Sequence, residues 1–253
     1  MTYFEGFIAP VGASDKEAYR DHAQRFARIA PEFGIERMVE CWADDVPHGK
    51  VTDFYRAVQA NDDETVVFSF FQYPSKKERD AANEKFQNDP RMAEMMTDMP
   101  FDAKRMIMGG FDAIVEAGSG PGSYINGFIA PVPREKKQAY REMNERHAAI
   151  FREYGALRVV QAWGDDVPEG KVTDFRRAVQ AGPDETVVFA FIEWPSKQAN
   201  TEAWDKIMKD ERMQPGGDMP FDGKRLFWGG FEVILDTAKR ETLQTQVPLG
   251  QPA

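Results

Sequence analysis

The chain has 253 residues, of which 42% are hydrophobic, and it carries 32 Lys and Arg against 42 Asp and Glu, three His and one Cys. The net charge of −10 argues against a general nucleic-acid-binding surface, because such affinity comes largely from Lys and Arg that neutralise phosphates, and the single Cys excludes an intrachain disulfide framework. No run approaches the roughly 18 apolar residues of a membrane span and the N-terminus lacks an export signal, so we expect a soluble, cytoplasmic protein with no nucleic-acid or membrane partner.

The first predicted elements are a strand over residues 4–11 and the helix that follows it. Ser14 and Glu17 have the spacing of a capping box at the start of a helix. Gly34 is typical of a helix C-terminus, where glycine readily adopts the left-handed conformation. Between these signals, apolar side chains recur at helical spacing, at Tyr19, His22, Ala23, Phe26, Ile29, Ala30 and Phe33.

Three strands, a second helix and a last strand are predicted next. The strands cover residues 36–42, 52–60 and 65–73, and a turn-rich stretch separates the first two. Ser75 and Glu78 form a second capping-box pattern, and Asp89–Pro90 ends the helix that it starts. The last strand covers residues 104–115, with a bulge predicted at Gly109–Gly110. The order β-α-β-β-β-α-β is that of a ferredoxin-like α+β unit with an added strand.

The same pattern then occurs a second time. Residues 6–11 recur as 127–132 and residues 50–54 as 171–175, both with a shift of 121, and residues 99–102 recur as 219–222 with a shift of 120. Two copies of more than a hundred residues each indicate duplicated domains. We therefore predict a first repeat over residues 1–117, a Gly/Ser/Pro linker over 118–123, a second repeat over 124–236, and a flexible tail over 237–253.

One strand in each repeat predicts how the two copies pack. Residues 66–71 and 187–192 are apolar on both alternating faces, whereas a strand with one wet face alternates between apolar and polar residues. The two helices of a repeat cover one face of its sheet, and the other repeat's sheet is the obvious cover for the second face. We therefore predict a monomer with an internal pseudo-dimer, in which two antiparallel sheets pack as an intramolecular dimeric α/β barrel.

Both repeats resemble a known family. The stretches that match are residues 40–47, 49–54, 73–76, 99–102 and 104–106 with their equivalents in the second repeat, and the chain is similar over them to the YbaA-like family of domain-of-unknown-function proteins. This resemblance implies the dimeric α/β-barrel superfamily, which includes cofactor-free monooxygenases, haem-binding oxygenases, muconolactone-isomerase-like enzymes and ligand-sensing domains. It implies no particular substrate, cofactor or catalytic residue, because fold membership does not decide function.

The histidines and glycines do not form a cofactor or metal motif. His22 and His147 lie on the apolar face of the first helix of each repeat and are interpreted as core or semi-buried residues, while His48 is predicted to lie on the surface. The three His have no metal-ligand spacing, and no phosphate-binding glycine loop or dinucleotide fingerprint is present. We therefore expect no tightly bound cofactor and no metal site.

The positions where the repeats differ are the most informative about function. Glu40-Cys41-Trp42 in the first repeat corresponds to Gln161-Ala162-Trp163 in the second. Conversely, Glu193 in the second repeat corresponds to Gln72 in the first. Both exchanges keep a carboxylate in one copy and neutralise it in the other. They indicate one asymmetric composite pocket at the pseudo-twofold axis, or, alternatively, neutral drift at positions without a role.

These differences and nearby polar residues supply the candidate site. Glu40 or Glu193 would be the general base, because buried carboxylates acquire raised pKa values suited to proton transfer, and Cys41 would be a neighbour or nucleophile. The Met-rich stretch of residues 92–99 is a candidate lid over a pocket. Candidate substrate-binding residues are Trp42, Trp163, Arg56, Arg177, Asp53 and Asp174, although an ion-pair network across neighbouring strands is the favoured interpretation of the charged ones.

Two functions remain open at this point. The first is a small-molecule enzyme without a tightly bound cofactor, with a cofactor-independent oxygenase-, isomerase- or lyase-like activity on a small organic substrate. The alternative is a ligand-binding or stress-associated structural domain with no turnover. Replacing Glu40 or Glu193 with Gln would separate them, since only the enzyme depends on a proton acceptor.

Overall fold

The computed structural model describes residues 2–213 and 219–239, which fold as an α+β protein with eight strands and seven α-helices in that part of the chain. The first repeat contains β1 (Tyr3–Gly12), α1 (Lys16–Ala27), β2 (Arg37–Asp45), α2 (Phe54–Ala57), β3 (Glu64–Tyr73), α3 (Lys76–Asn88), α4 (Pro90–Met95) and β4 (Ile107–Gly118). The second repeat contains β5 (Tyr124–Pro133), α5 (Lys137–Glu153), β6 (Arg158–Asp166), α6 (Phe175–Ala178), β7 (Glu185–Trp194), α7 (Lys197–Ile207) and β8 (Phe227–Asp236).

All eight strands form one closed antiparallel barrel in the order β1-β3-β2-β8-β5-β7-β6-β4. The α+β class and the intramolecular barrel agree with the sequence prediction, but the two packed sheets expected there are a single continuous sheet. Each repeat contributes four adjacent strands, and the joints are β2 with β8 and β4 with β6. Closure leaves no unpaired strand edge, because the outer strands of each repeat pair with those of the other.

The predicted glycine bulge lies at one of these joints. Pairing between β4 and β6 shifts register between Gly110, opposite Asp166, and Phe111, opposite Gly164. A Cβ atom on Gly110 would clash with the Tyr3 hydroxyl and would lie 2.8 Å from the Arg79 guanidinium. The bulge prediction is therefore confirmed, and glycine is required there because two side chains approach the backbone closely.

The interior of the barrel is a packed aromatic core. The rings of Phe68 and Phe189 stack at a centroid distance of 4.6 Å, and those of Phe70 and Phe191 stack at 4.3 Å. Each pair joins the two repeats, which explains why residues 66–71 are apolar on both faces: alternate side chains point into the barrel and outward beneath the helices. An eight-stranded barrel is just wide enough for side chains to fill it.

Residues 52–60 are not a strand, contrary to the prediction. Asp53 instead caps the short helix α2, since its carboxylate accepts hydrogen bonds from the backbone N–H of Arg56 at 2.8 Å and of Gly49 at 3.0 Å. Asp174 caps α6 in the same way, at 2.8 Å from the backbone nitrogen of Arg177. The local cap satisfies backbone donors more directly than a distant strand partner, so the short helix forms despite the β-branched and aromatic residues around it.

Some helix boundaries lie where the capping and proline patterns predict them, and others do not. α3 starts after Ser75, whose hydroxyl donates to the Glu78 carboxylate, and it ends before Asp89–Pro90 as predicted. A further helix, α4, begins directly at Pro90. The Ser14 capping box is absent, because the N-cap of α1 is Asp15 and Ser14 donates to that residue's side chain at 3.1 Å. Within the described parts of the chain, no helix has the length and hydropathy needed to span a bilayer.

The capping role of Asp53 has a measurable consequence. Replacing Asp53 with Ala is expected to lower the free energy of unfolding by about 1 kcal/mol, because two backbone N–H groups lose their acceptor. Urea denaturation of the D53A variant, with the exposed-turn variant Asp62→Ala as control, measures this loss. An unchanged unfolding midpoint together with weakened ligand binding would instead support the substrate-binding role considered above.

Candidate functional site

A cavity of about 420 Å³ lies between the outer face of the sheet and the helices of the first repeat. Its floor is formed by β1, β3 and β2, and its walls by α1, α3 and α4; all the residues that line it fall between Glu5 and Met108. This volume is in the range of small-molecule sites. The cavity therefore lies outside the barrel, in one repeat, and not at the pseudo-twofold axis where a composite site was expected. We call it the Glu40 pocket.

Glu40 provides the reactive group of the pocket. It lies on β2, opposite Ser69 of β3, and only 5% of the residue is exposed. The Tyr19 hydroxyl of α1 donates a hydrogen bond to its Oε2 at 2.6 Å, and the Ser69 hydroxyl donates to the same oxygen. Burial raises the pKa of Glu40 to about 7, although these two hydrogen bonds act in the opposite direction. The carboxyl group is thus able to exchange a proton near neutral pH.

A second carboxylate, Glu5, faces the same pocket from β1. The residue is 2% exposed, and burial raises its pKa, partly offset by the charge of Arg79. Its polar contacts are long: the Asn83 amide donates at 3.4 Å, Arg79 Nη1 lies 3.7 Å away, and the neighbouring Tyr73 hydroxyl lowers its pKa only as a minor contributor. Arg79 is more closely engaged with Asp166 of the second repeat, at 2.6 Å. Glu5 is therefore a buried carboxylate with only weak compensation.

The rest of the wall is apolar and rich in methionine and phenylalanine. The Met-rich stretch proposed as a lid does line the pocket, and Met96 in it is 65% exposed. The corresponding residues 214–217 of the second repeat lie outside the described residues. The apolar lining consists chiefly of Phe7, Phe26, Phe71, Phe86, Phe101, Met38, Met92, Met95, Met96, Met99, Met106 and Met108.

Cys41, expected beside Glu40 as a neighbour or nucleophile, points the other way. Successive residues of a strand face opposite sides of the sheet, so Cys41 belongs to the barrel core with Val39 and Phe68, and it is fully buried. Burial raises the pKa of its thiol, and the charge of Glu40 raises it further. The structure therefore separates Cys41 from the Glu40 pocket and disfavours its thiolate.

Glu193 also lies away from the pocket, within a buried ion-pair network at one end of the barrel. Arg37 donates to both of its carboxylate oxygens, at 2.8 and 2.7 Å, and Arg158 lies 3.4 Å away. Gly122, between the repeats, also donates its backbone N–H at 2.9 Å. Burial alone would raise the pKa of Glu193, but the hydrogen bonds and charge of Arg37 hold it below its usual range. This environment favours a permanently ionised structural carboxylate over a general base.

The remaining candidates lie at three other places. The ring of Trp42 packs against that of Tyr19, at a centroid distance of 6.2 Å, and the ring of Trp163 packs against that of Tyr140, at 6.4 Å. Asp53 and Asp174 are the helix caps described above, and their ion pairs with Arg56 and Arg177, at 3.5 and 3.3 Å, form between residues three apart at the start of a short helix and not across neighbouring strands. The more exposed Arg56 and Arg177 line a separate polar depression formed by both repeats, with Gln59 and Gln180. Among the nine candidate residues, Glu40 is the one that lines the pocket.

The histidines lie where the sequence pattern placed them. His22 lines the Glu40 pocket and His48 is exposed. Burial lowers the pKa of His22, with a further contribution from Arg25, and burial likewise lowers the pKa of His147. Among residues 2–213 and 219–239, no group of three or more His, Cys, Asp or Glu is arranged to hold a metal ion.

The second repeat shows the same site with its acids neutralised. Gln161 stands in place of Glu40 and accepts a hydrogen bond from the Tyr140 hydroxyl at 2.6 Å, as Glu40 does from Tyr19. The other replacements are Asn126 for Glu5, Asn200 for Arg79, Ala190 for Ser69 and Trp204 for Asn83.

The larger Trp204 takes up the space beside Asn126 and Asn200, the uncharged equivalents of Glu5 and Arg79. Its indole N–H donates to Asn126 Oδ1 at 2.9 Å, and its ring packs against Phe128 and Phe151. Sequence reasoning missed Glu5, Tyr19 and Ser69. The exchanges of Glu5 for Asn126 and of Asn83 for Trp204 are visible in an alignment of the repeats, whereas Tyr19 is a tyrosine in both copies and has the spacing of a core residue.

Comparison with known families agrees with the duplication. Residues 2–103 and 123–223 each match the family described as "Protein of unknown function (DUF1428)". The chain belongs to the DUF1428 family. It is a tandem duplication of the DUF1428 domain, with one match in each repeat.

Relatives and solved structures support this family and its fold. The DUF1428 chain is 56% identical over 114 residues to the uncharacterized protein YbaA of Escherichia coli (strain K12) and equally to that of Shigella flexneri, matching 45% of this chain and 97% of each relative. A crystal structure of a "Putative monooxygenase" from Fusobacterium nucleatum superposes with a TM-score of 0.55 at 10% identity and covers 93% of both chains. At this identity the likeness concerns the fold alone.

Proposed function

We propose that this DUF1428 protein is an enzyme that acts on a small, largely apolar molecule in the Glu40 pocket, with Glu40 as the general base. The observation that carries the proposal is a carboxyl group of pKa about 7 at the wall of a small-molecule-sized cavity. A base with a pKa near the working pH combines a useful ionised fraction with adequate basicity. Structural carboxylates in this protein, such as Glu193, have the opposite shift.

The simplest reaction for these residues is proton transfer within one substrate, that is, an isomerisation. The Glu40 carboxylate would take a proton from an acidified C–H bond, leaving the electron pair delocalised on the substrate, and would return that proton to another carbon. Atoms and charge balance without a further reactant. Tyr19 and Ser69 orient the carboxylate through Oε2 and limit the rise of its pKa.

The apolar wall gives this base its strength. Phe7, Phe71 and Met38 surround the polar floor and reduce its contact with water. A carboxylate in such surroundings is poorly solvated, so it binds a proton more tightly than one on the surface. The same lining also favours a substrate whose body is apolar.

The second repeat supports one active site per chain. Gln161 keeps the hydrogen bond to its tyrosine but cannot accept a proton, and Trp204 replaces the small Asn83. The duplicated fold would thus keep two copies of the scaffold and one copy of the chemistry. The fold shared with the Fusobacterium nucleatum protein is compatible with an enzyme, but the proposed reaction rests on the pocket.

Deuterium exchange tests proton abstraction even when the product is unidentified. The protein is incubated in D₂O with a library of small carbonyl compounds, and mass spectrometry detects any compound that gains deuterium or changes retention time. We expect at least one compound to react with the wild-type protein. The rate of its exchange or conversion should fall by about 10²–10⁴-fold in the Glu40→Gln variant.

The control is Glu84→Gln, which removes one carboxylate from the exposed side of α3 and should leave the rate unchanged. Exchange that survives in E40Q would refute Glu40 as the base. A library compound that binds in the pocket but never exchanges or reacts would favour the non-catalytic ligand-binding alternative.

A further inference from the structure

The charge of the Glu40 pocket is one-sided. Glu5 and Glu40 are its acidic lining residues, and no Lys or Arg is among the described residues that line it. His22 is the remaining basic candidate, and its lowered pKa leaves it neutral at pH 7. A bound anion would therefore face two carboxylates without a compensating cation.

The nearest guanidinium, that of Arg79, does not balance this charge. Its closest contact is Asp166 at 2.6 Å, and it also contacts Asp80 at 3.2 Å, whereas Glu5 lies 3.7 Å away. One positive charge is thus shared among three carboxylates, and the longest of the contacts is the one to Glu5. The equivalent pair in the second repeat, Asn126 and Asn200, carries no charge at all.

Glu5 is also weakly hydrogen-bonded for a buried carboxylate. Its hydrogen bond from Asn83 is 3.4 Å long, beyond the usual range of a strong N–H···O bond. The buried Tyr73 hydroxyl is a further donor near Glu5 and lowers the pKa of that carboxyl group, but its contact does not have the geometry of a regular hydrogen bond. Buried polar groups are normally satisfied, so an under-satisfied carboxylate aimed into a cavity indicates a missing donor.

Aromatic side chains extend this preference across the pocket. The ring of Phe71 stacks on that of Phe26 at 5.4 Å and lies 4.9 Å from that of Phe7, and all three line the cavity. The faces of aromatic rings attract cations, most strongly where water is excluded. The polarisable Met side chains of the wall adapt to apolar groups of varied shape.

We propose that the ligand of the Glu40 pocket is a lipophilic organic cation, with an apolar body and one protonated or quaternary nitrogen whose charge is received by Glu5. This inference rests on the proposed function and names its substrate class. Glu5 then binds the charge, while Glu40, held by Tyr19 and Ser69, remains the proton acceptor.

Three probes of similar size separate charge from shape. Benzyltrimethylammonium carries a permanent positive charge, neopentylbenzene is its neutral carbon isostere, and benzylsulfonate is a related anion. Isothermal titration calorimetry on the full chain at pH 8 is expected to show binding of the cation at least about tenfold tighter than that of neopentylbenzene, with no binding of benzylsulfonate.

Two variants locate the effect. Glu5→Gln preserves the shape of the side chain, and it is expected to abolish the difference in affinity between benzyltrimethylammonium and neopentylbenzene. Asn83→Trp copies Trp204 of the second repeat and is expected to abolish binding of both probes by occupying the pocket. Glu84→Gln, on the exposed face of the same helix, serves as the control and should bind as wild type does.

Binding of the cation should also strengthen as the pH rises. Burial raises the pKa of Glu5, so the carboxylate that receives the charge forms at a higher pH than that of an exposed glutamate. The groups that face Glu5 are Arg79 and Asn83 of α3 and Tyr73 of β3, with Gly110 opposite on β4, and the charge of Asp166 on β6 also raises its pKa. Glu40, whose pKa is about 7, faces Tyr19 and Ser69, and His22 also lines the pocket; the E5Q variant removes the contribution of Glu5 alone.

Equal or tighter binding of neopentylbenzene, measurable binding of benzylsulfonate, or no binding of the cation at millimolar concentration would overturn the proposal. So would an undiminished preference for the cation in folded E5Q protein. These outcomes are distinct from failure of the enzyme proposal: a strong preference for the cation in a protein that catalyses no exchange would leave a cation-binding protein, whereas turnover of a neutral compound would leave an enzyme with another substrate class.

Discussion

Replacing Glu40 with Gln is expected to stabilise the protein increasingly as pH rises, by about 2 kcal/mol more at pH 8 than at pH 5. In the unfolded chain this carboxyl group ionises near its ordinary pKa of 4.5, whereas in the folded protein it keeps its proton up to about pH 7. The folded state therefore binds more protons between these values, and wild-type stability falls as pH rises through that window. Gln does not titrate, so the variant escapes this loss.

Urea denaturation of wild type and E40Q at pH 5, 6, 7 and 8 measures the difference. The variant should fold well, because the second repeat already accommodates Gln161 with the same tyrosine hydrogen bond. The curve for Glu84→Gln should run parallel to that of wild type. An offset between E40Q and wild type that does not change with pH would show that Glu40 does not ionise within this window.

The same substitution therefore has opposite expected effects on stability and on proton transfer. Glu40 lowers the stability of the folded protein at neutral pH, yet it is the group on which the proposed reaction depends. Active sites commonly contain destabilising groups of this kind, since burying an ionisable group unfavourably is what shifts its pKa. A stabilised but inactive E40Q protein would be direct support for a functional role.

Replacing Arg37 with Met is expected to lower the free energy of unfolding by about 3–5 kcal/mol at pH 7. Arg37 donates two hydrogen bonds to Glu193 and two to Asp236, and both carboxylate side chains are completely buried. Methionine preserves much of the side-chain volume but removes the guanidinium group that both buried carboxylates contact. Arg158, 3.4 Å from Glu193, compensates only one of them and at longer range.

The pseudo-equivalent Arg158 provides the matched control. Its closest partner, Glu116, is one-third exposed and can be hydrated when the guanidinium is removed, so Arg158→Met should cost less. The loss in R37M should also shrink in acid, because the lowered pKa of Glu193 means that its contribution is present above about pH 4.5 and disappears as pH falls. A larger loss for R158M than for R37M in urea denaturation would contradict this account.

Much of the fold could be predicted from local patterns and the repeat. The strands that become β1, β2, β3 and β4 are recognisable as apolar segments bounded by turn residues and helix signals, and strand 66–71 requires cover on both faces, which the barrel provides. The error at residues 52–60 arises because Asp53 forms a cap with backbone groups three and four residues away. Propensity favours a strand there, but the cap offers those groups partners at once.

The site could be predicted only in part, for a reason that the strands make clear. The exchange of Glu40 for Gln161 correctly draws attention to a buried carboxylate that lines a pocket. The analogous exchange of Gln72 for Glu193 has the same appearance in the sequence but belongs to an ion-pair network. Charge differences between repeats thus indicate that an environment has changed, without distinguishing a cavity from a salt bridge.

The duplication, the class of fold and the two-sided burial of its central strands are properties of composition and periodicity, and the sequence is sufficient to predict them. Alternation likewise requires that Glu40 and Cys41 face opposite sides of the sheet. Only the closed barrel decides which side is filled by aromatic rings and which lies beneath helices that leave a cavity. Closure brings together strands more than a hundred residues apart, such as β2 with β8, and no local pattern records those distances.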